Sequence, residues 1–261
     1  MTPAPAAAST WTEEERNRLL GLLTHADSVE LKMSVPDADR RSAVAALSLD
    51  PLAADMVQVW FFDTPDLEVS ASGVIARARR TRSRDDSTVK LRPVVPDTLP
   101  SELRAGSGFG VEIDAMPGGF VCSARLKRRL EPGVVRRTML KAKSPRTLFS
   151  TRQCDFFEEH APAGLTLDDV LPLGPITVLK LKYVPHGLDR PLVAELWTYP
   201  DGSRILELST KCEPAEAFVV AARTVSYLAE RGITLTGVQQ TKTKTALEFF
   251  AHELSAPGDD R

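Results

Sequence analysis

Polar and apolar residues alternate over many short segments of this chain, with the two-residue period that is typical of β-strands. The first segment, Ser28–Ser34, places Val29 and Leu31 on one face and Glu30 and Lys32 on the other. The same alternation predicts further strands at Val57–Asp63, Val74–Thr81, Ser87–Pro93, Phe109–Ala115, Phe120–Lys127, Thr177–Val184, Leu192–Tyr199 and Arg204–Lys211. Helical and loop segments interrupt these strands, so we predict an α+β fold with antiparallel strands in one sheet.

Capping residues and apolar stripes predict the helices. Thr12 and Glu15 form a capping box before a leucine-rich helix, and Pro214 opens a later one. The apolar stripe of that later helix consists of Phe218, Val219, Ala222, Val225, Leu228 and Ala229. Such a stripe usually faces a hydrophobic core. A short helix is expected over Pro36–Leu47 and a last helix over Thr245–Leu254.

Two turns have sequence signatures that constrain nearby residues. Met116–Gly119 predicts a hairpin turn, and a two-residue turn would set Glu112 opposite Ser123 on one face of the sheet. Asp63 precedes a turn that contains Pro65, and we expect its carboxylate to bond its own backbone there rather than act in catalysis.

No linker long enough to divide the chain is visible. Residues 1–25 are expected to form an N-terminal extension with one helix, preceded by a disordered Ala/Pro-rich segment, Thr2–Ser9. Residues 26–254 are expected to form a single domain, and residues 255–261 a disordered tail.

Composition excludes several classes of protein. The 261 residues include 33 Lys and Arg against 35 Asp and Glu and are 43% hydrophobic, which is ordinary for a globular chain and disfavours a nucleic-acid-binding tail. No apolar run approaches the ~20 residues that span a bilayer, and Met1–Thr10 does not resemble a signal peptide. Three cysteines without CxxC spacing argue against a disulfide framework. We therefore expect a soluble, reduced, cytoplasmic protein without a membrane partner.

Positive charge is nevertheless concentrated in two segments. Val74–Arg92 has seven basic and two acidic residues, and Ser123–Arg152 has ten basic and one acidic residue. This imbalance indicates either a solvated basic surface or a site that binds an anion. Arg80, Arg82 and Arg84 are expected on the surface, since only Arg77 and Arg79 of their strand share the charged face.

Strand after strand carries ionisable residues on one face. The basic ones occur mostly in pairs, whereas carboxylates occur on separate strands: the face contains Glu30, Lys32, Arg77, Arg79, Lys90, Arg92, Glu112, Asp114, Arg125, Lys127, Lys180, Lys182, Glu195 and Glu207. An open sheet with one solvated face is one interpretation. A sheet curled with this face inward is the other, and it would form a cationic tunnel suited to a polyphosphate with its Mg²⁺.

Several motifs, in this order, resemble the CYTH superfamily of triphosphate tunnel metalloenzymes, which includes class IV adenylyl cyclases and thiamine triphosphatases. They are Val29–Lys32, Phe61–Leu67, Gly73, Arg77–Arg79, Val89–Leu91, Glu195, Glu207 and a late Lys242 or Lys244. The resemblance covers about residues 28–250. It implies an eight-stranded antiparallel β-tunnel that binds a triphosphate or polyphosphate together with Mg²⁺ or Mn²⁺.

The resemblance also implies roles for individual residues. Lys32 and Glu30 are the expected catalytic residues, and Glu30, Glu195 and Glu207 the expected metal ligands. Phosphate-binding residues expected from the resemblance and from strand parity are Lys32, Arg77, Arg79, Lys90, Arg92, Arg125, Lys180, Lys182 and Lys244. Lys182 is an alternative to Lys180, and Lys242 matches the late lysine as closely as Lys244.

Two positions depart from the family pattern. Ser28 and Ser209 stand where the family has carboxylates, and a neutral hydroxyl is a weaker ligand for a divalent cation. Glu112 and Asp114 could supply the missing charge if the strand register places them on the same face. Three functions therefore stay open: a metal-dependent phosphohydrolase of triphosphates, an adenylyl cyclase, and a non-catalytic polyphosphate-binding module.

Overall fold

The computed structural model describes residues 13–233 and 242–255. Thr2–Ser9, the capping residue Thr12 and the tail beyond residue 255 lie outside the described residues. Within the described ranges, no helix combines the length and the apolar character needed to cross a membrane. The division into an extension, a main domain and a tail stays a prediction.

Nine strands form a closed barrel in the order β1-β5-β6-β4-β3-β2-β7-β8-β9, in which β9 also pairs with β1. They are β1 (Ser28–Val35), β2 (Asp55–Asp63), β3 (Val74–Arg80), β4 (Asp85–Leu91), β5 (Phe109–Met116), β6 (Gly119–Leu130), β7 (Leu171–Tyr183), β8 (Leu192–Thr198) and β9 (Arg204–Cys212). Each of the nine segments predicted as strands from their alternating pattern is therefore a strand in the structure.

The expected eight antiparallel strands are wrong in number and in one pairing. β1 and β5 run parallel, with Ser28 beside Glu112 and Glu30 beside Asp114, while the other neighbouring strands are antiparallel. The reason is geometric: an odd number of strands cannot alternate in direction all the way around a closed barrel. At least one parallel pair is required.

Eight α-helices of the described residues surround the barrel, most of them on its outer surface, and the charged face of the strands points inward. They are α1 (Glu13–His25), α2 (Arg40–Ala46), α3 (Glu68–Ala71), α4 (Ser101–Ala105), α5 (Val134–Leu140), α6 (Thr151–His160), α7 (Ala217–Ala229) and α8 (Lys242–Ser255). Leu19 of α1, Val135 of α5 and Phe157 of α6 join one core cluster with the outward-facing strand residues Val29 and Ala76. Burial of this apolar outer surface is the main stabilising contribution to the fold.

Helix α7 buries a different face from the predicted one. Phe218, Val219 and Val225 of the predicted stripe are each at least half exposed. The face that packs on the barrel consists of Ala217, Val220, Thr224, Tyr227 and Leu228. Both faces of this helix contain large apolar residues, so its hydrophobic pattern does not distinguish the buried face from the exposed one.

Helix α8 fills part of one end of the barrel. Its Ala246 and Leu247 are buried in a cluster with Val59, Phe61 and Trp197, which face the barrel interior. This apolar packing occupies the side formed by β2, β7, β8 and β9. The interior space that remains is lined by residues of all nine strands.

The hairpin between β5 and β6 has the predicted register. Only Pro117 and Gly118 lie between the two strands, and Glu112 pairs with Ser123 across them. Gly118 has a φ of +85°, a conformation that favours glycine. Glu112 and Asp114 therefore point into the barrel.

Asp63 organises the turn after β2, as predicted. Its Oδ1 accepts hydrogen bonds from the backbone N–H groups of Thr64 (2.8 Å) and Val69 (2.9 Å), and its Oδ2 accepts one from Ser70 (3.0 Å). Burial raises the pKa of this carboxyl group, although the same hydrogen bonds act to lower it. Its role is to hold α3 against the barrel end.

Replacing Asp63 by alanine is expected to lower the free energy of unfolding by about 2–4 kcal/mol, because three backbone N–H groups, two of them buried, lose their acceptor. Urea unfolding measures this change. Asp66→Ala is the matched control in the same turn, since Asp66 is exposed. Equal effects from both substitutions would show that the Asp63 hydrogen bonds do not stabilise the turn.

Candidate functional site

A polar cavity of about 360 Å³ runs through the barrel. Thr81 and Arg84, in the turn between β3 and β4, line one end, and Met116 and Thr243 line the other. Between them the walls consist of the inward-facing residues of the strands. Of the predicted site residues, the cavity brings together Glu30, Lys32, Arg77, Arg79, Lys90, Arg92, Glu112, Asp114, Arg125, Lys180, Glu195 and Glu207.

Three carboxylates meet on one wall of the cavity. Oxygens of Glu30, Glu112 and Asp114 lie within 4.8 Å of one another, and this is the one such acidic group found in the described part of the chain. Parallel pairing of β1 with β5 creates it, because Glu30 and Asp114 are direct neighbours there. Oxygen ligands in such a group fit a hard divalent cation, so Glu112 and Asp114 provide carboxylates near the position of Ser28.

Asp114 is the centre of the charge network in the cavity. Its side chain is fully buried and lies 2.7 Å from Lys32 Nζ, 3.3 Å from Lys90 Nζ and 3.7 Å from an Arg92 guanidinium nitrogen. Burial acts to raise the pKa of Asp114, but Lys32 and Lys90 outweigh it and hold the pKa far below its ordinary value. The carboxylate therefore stays charged at neutral pH.

Lys32 is surrounded by carboxylates, as Asp114 is surrounded by cations. Burial acts to lower its pKa, but the carboxylates of Asp114, Glu30 and Glu207 raise the pKa above its ordinary value. Lys32 Nζ also lies 3.2 Å from Glu30 Oε2. Lys32 is thus a permanent cation between two groups of carboxylates.

Glu195 and Glu207 form a separate pair of carboxylates, which Lys242 at the start of α8 bridges. Lys242 Nζ contacts both carboxylates, at 2.6 Å from Glu207 Oε1, and Lys180 Nζ lies 2.7 Å from Glu195 Oε1. Burial acts to raise the pKa of Glu195, but Lys242 and Lys180 hold it well below its ordinary value. The indole N–H of Trp197 also donates to Glu195. The structure therefore places these two carboxylates with lysines and groups Glu30 with Glu112 and Asp114.

Arg77 and Thr88 are polar neighbours without partners inside the cavity. They pair across β3 and β4, and neither Arg77 Nε nor Thr88 Oγ1, both buried, has a hydrogen-bond partner. Burial and the neighbouring Arg79 lower the pKa of the Arg77 guanidinium to about 10. Two buried donors without an acceptor point to an anion with several oxygens as the natural occupant.

Arg79 is paired differently from Arg77. Its Nε and one terminal nitrogen each lie 3.1 Å from an oxygen of Asp86, and Lys127 Nζ lies 3.5 Å from the same carboxylate. Burial acts to raise the pKa of Asp86, but Arg79 and Lys127 lower it. This cluster lies toward the Arg84 end of the cavity.

Two predicted phosphate ligands lie outside the cavity. Lys182 is exposed because β7 extends past β2, whose first residue, Asp55, already pairs with Lys180. Lys244 is exposed, with Glu248 Oε1 at 3.6 Å, whereas Lys242 enters the cavity. Residues two apart on a helix point in nearly opposite directions, so only one of the two lysines can face inward.

Several cavity residues were not predicted as site residues. They are Arg84, Asp86, Thr88, Lys127, Trp197 and Lys211. Strand parity could have found most of them: Lys211 shares a face with Glu207 on β9, and its Nζ lies 2.6 Å from Glu112 Oε1. Arg84 is exposed as expected, but it also lines one mouth of the cavity.

Two solved structures with a similar fold come from proteins described as candidate adenylyl cyclases. HpAC1 from Hippeastrum, a candidate adenylyl cyclase with a dominant triphosphatase activity, gives a TM-score of 0.61 at 16% identity, over 84% of this chain and 95% of its own. A candidate adenylate cyclase from Bacillus halodurans gives 0.57 at 12% identity, over 84% and 97%. This chain has the CYTH fold.

Sequence comparison adds nothing to this assignment, since no protein-family profile and no curated protein matches the chain. At 12–16% identity the likeness concerns the fold. Four residues of the motifs that resembled the CYTH superfamily, Glu30, Lys32, Arg77 and Lys90, line the cavity. Ser28 and Ser209, the two departures, are both buried.

Proposed function

We propose that this protein is a metal-dependent phosphohydrolase that binds the triphosphate of an inorganic or organic substrate in the barrel cavity. The observation that carries the proposal is the juxtaposition, in one cavity, of a carboxylate group with buried cations. Asp114 holds Lys32, Lys90 and Arg92 close together, and Arg77, on the strand next to that of Lys90, lines the same cavity without an ion pair to any described residue.

The cations have distinct roles in this proposal. Arg77 and Thr88 donate to one phosphoryl group, since both lack acceptors. Lys32, Lys90 and Arg92 neutralise the charge of the neighbouring phosphates, which supplies much of the catalysis in phosphoryl transfer. Lys32 is also placed to stabilise the charge that develops on the phosphoryl oxygens.

The carboxylate group fits a divalent cation. Glu30, Glu112 and Asp114 would hold Mg²⁺ or Mn²⁺, which would supply Lewis acidity and charge neutralisation at the phosphate oxygens. Glu30, with a side chain that is 25% exposed, is the most accessible of the three and is assigned to orient the attacking water.

Phosphate release tests this function. Purified protein is incubated with Mg²⁺ or Mn²⁺ and with tripolyphosphate, ATP or thiamine triphosphate, and Glu30→Gln is the parallel control. We expect orthophosphate and a diphosphate product from at least one substrate, abolished by chelation of the metal. No release from any of them at high protein concentration would reject the proposal.

Product analysis separates hydrolysis from cyclisation, since an adenylyl cyclase would give cyclic AMP and pyrophosphate from ATP. The second candidate function is a non-catalytic polyphosphate-binding module. Ser28 and Ser209 favour it, because each replaces a carboxylate of the family pattern by a neutral hydroxyl. Tight tripolyphosphate binding without turnover would support that candidate.

Ser28→Glu is expected to strengthen Mn²⁺ binding about tenfold, because affinity at an oxygen site rises with the number of charged ligands. Residue 28 pairs with Glu112 and lies two positions before Glu30 on the same strand face. Calorimetry measures the affinities of the variant for Mn²⁺ and for tripolyphosphate.

Ser28→Gln is the matched control, since it adds the same volume without charge. Unchanged Mn²⁺ affinity together with weaker tripolyphosphate binding in Ser28→Glu would contradict the metalloenzyme and support the binding module.

A further inference from the structure

A second, smaller space of about 270 Å³ lies beside the Arg84 end of the cavity. Arg84, Asp86, Arg125 and Lys127 line both spaces, so the two are adjacent. Arg129 is added at the outer side. We refer to this opening, lined by Arg84, Arg125, Lys127 and Arg129, as the basic mouth.

Three of its cations form a row that leads out of the barrel. Arg125, Lys127 and Arg129 alternate along β6, so their side chains leave the inward face at intervals of about 7 Å. Arg125 lies directly opposite Lys90 of the central cavity, whereas Arg129 is exposed at the rim. The row therefore begins next to the proposed triphosphate site and continues beyond it.

Most of the positive charge of the basic mouth has no ion-pair partner in the described part of the protein, since Lys127 alone of its four cations is paired, with Asp86. Arg84, Arg125 and Arg129 form no ion pair within the described ranges 13–233 and 242–255. Three carboxylates nearby are already engaged. Asp86 is held by Arg79 and Lys127, and Asp85 accepts a hydrogen bond from the backbone of Val135. Asp27, which lies near Arg125 beside Gly110, accepts a hydrogen bond from the backbone of Val111. Uncompensated cations around one opening attract a polyanion.

We propose that the basic mouth is a binding subsite for a linear polyphosphate longer than three phosphates, with the additional phosphates following Arg125, Lys127 and Arg129 toward Arg84. This inference rests on the proposed function, since it extends the ligand of the same cavity. A tripolyphosphate occupies the central cavity and leaves the row on β6 largely unused. A longer chain uses both.

Calorimetric affinities for tripolyphosphate and for a longer polyphosphate of defined length, measured with the whole protein at several salt concentrations, test the subsite. We expect the longer chain to bind at least tenfold more tightly and its affinity to fall more steeply with salt, because each additional cation–phosphate contact releases counterions. Equal affinity and equal salt dependence for the two ligands would overturn the subsite while leaving the proposed function intact.

Substitutions in the basic mouth test whether its residues cause the tighter binding of the longer chain. Arg129→Gln is expected to lower affinity for the longer chain about tenfold without changing affinity for tripolyphosphate, because Arg129 lines the second space and not the central cavity. Arg136→Gln is the matched control, because Arg136 is exposed on α5 outside the basic mouth. An equal loss of affinity for the longer chain in Arg136→Gln would show that the effect comes from general surface charge. That result would overturn the proposal.

Two further outcomes are informative. Failure of tripolyphosphate itself to bind the unsubstituted protein would reject the proposed function rather than the subsite alone. An RNA oligonucleotide with a 5′-triphosphate that outcompetes the longer polyphosphate, and loses this advantage in Arg129→Gln, would overturn the assignment of the mouth to inorganic polyphosphate.

Discussion

Arg77→Met is expected to weaken tripolyphosphate binding by about 10- to 100-fold and, in the absence of ligand, to raise the stability of the fold. A charge-assisted hydrogen bond to an anion contributes about 1.5–3 kcal/mol, which is the basis of the affinity estimate. The opposite sign for stability follows because the Arg77 Nε is buried without a partner. Replacing an unpaired buried cation by an apolar side chain of similar volume removes a desolvation cost of about 1–2 kcal/mol.

Calorimetry for affinity and urea unfolding for stability measure the two effects on the same protein sample. Arg136→Met is the control for a general loss of positive charge. A stability decrease in Arg77→Met without ligand would show that the guanidinium already has a stabilising partner. Unchanged affinity would place the bound phosphates elsewhere in the cavity.

Asp114→Asn is expected to destabilise the ligand-free protein by about 3–5 kcal/mol, the usual cost of removing one partner from a buried ionic network. Lys32, Lys90 and Arg92 would then face one another without their shared anion. Tripolyphosphate in the presence of a chelator should stabilise this variant more than the unsubstituted protein, because the phosphates take the place of the carboxylate. Mn²⁺ affinity should fall.

Thermal unfolding with and without tripolyphosphate measures these effects, and Glu159→Gln, an exposed carboxylate on α6, is the control. Loss of both Mn²⁺ and tripolyphosphate binding with unchanged stability would contradict the network. An unchanged Mn²⁺ affinity would remove Asp114 from the metal site.

The same carboxylate predicts a dependence of stability on pH. Lys32 and Lys90 hold the pKa of Asp114 below its ordinary value of 3.8. A group with a lowered pKa in the folded state stabilises the fold above its unfolded pKa, and this contribution is lost as the pH falls through the folded pKa. Asp114→Asn should therefore show a weaker loss of stability than the unsubstituted protein on acidification below about pH 4.

Strand alternation alone was enough to predict most of the cavity walls. Arg77 and Arg79 face inward because residues two apart share one side of a strand, and the same rule places Lys90 and Arg92 together. The tight turn at Pro117 and Gly118 fixed the register of Glu112 against Ser123. Such information is local, since it depends on one strand or one hairpin.

The grouping of the carboxylates could not be predicted in the same way. Glu30 was expected beside Glu195 and Glu207, but the pairing of β1 with β5 brings it to Asp114, which is 84 positions later in the sequence. Nothing in either strand alone specifies that partner. The choice between Lys242 and Lys244 likewise depended on how α8 enters the barrel end, a tertiary contact that local spacing does not determine.

The pairing of β1 with β9 has a consequence for synthesis of the protein. Seven residue pairs join these strands, from Val29 with Cys212 to Val35 with Leu206. While the ribosome is still making the second half of the chain, β1 has an open edge, and open edges promote association between chains. A chain released before residue 204 would already contain the basic residues of β3 and β4. It would have no enclosed space in which they could surround a ligand.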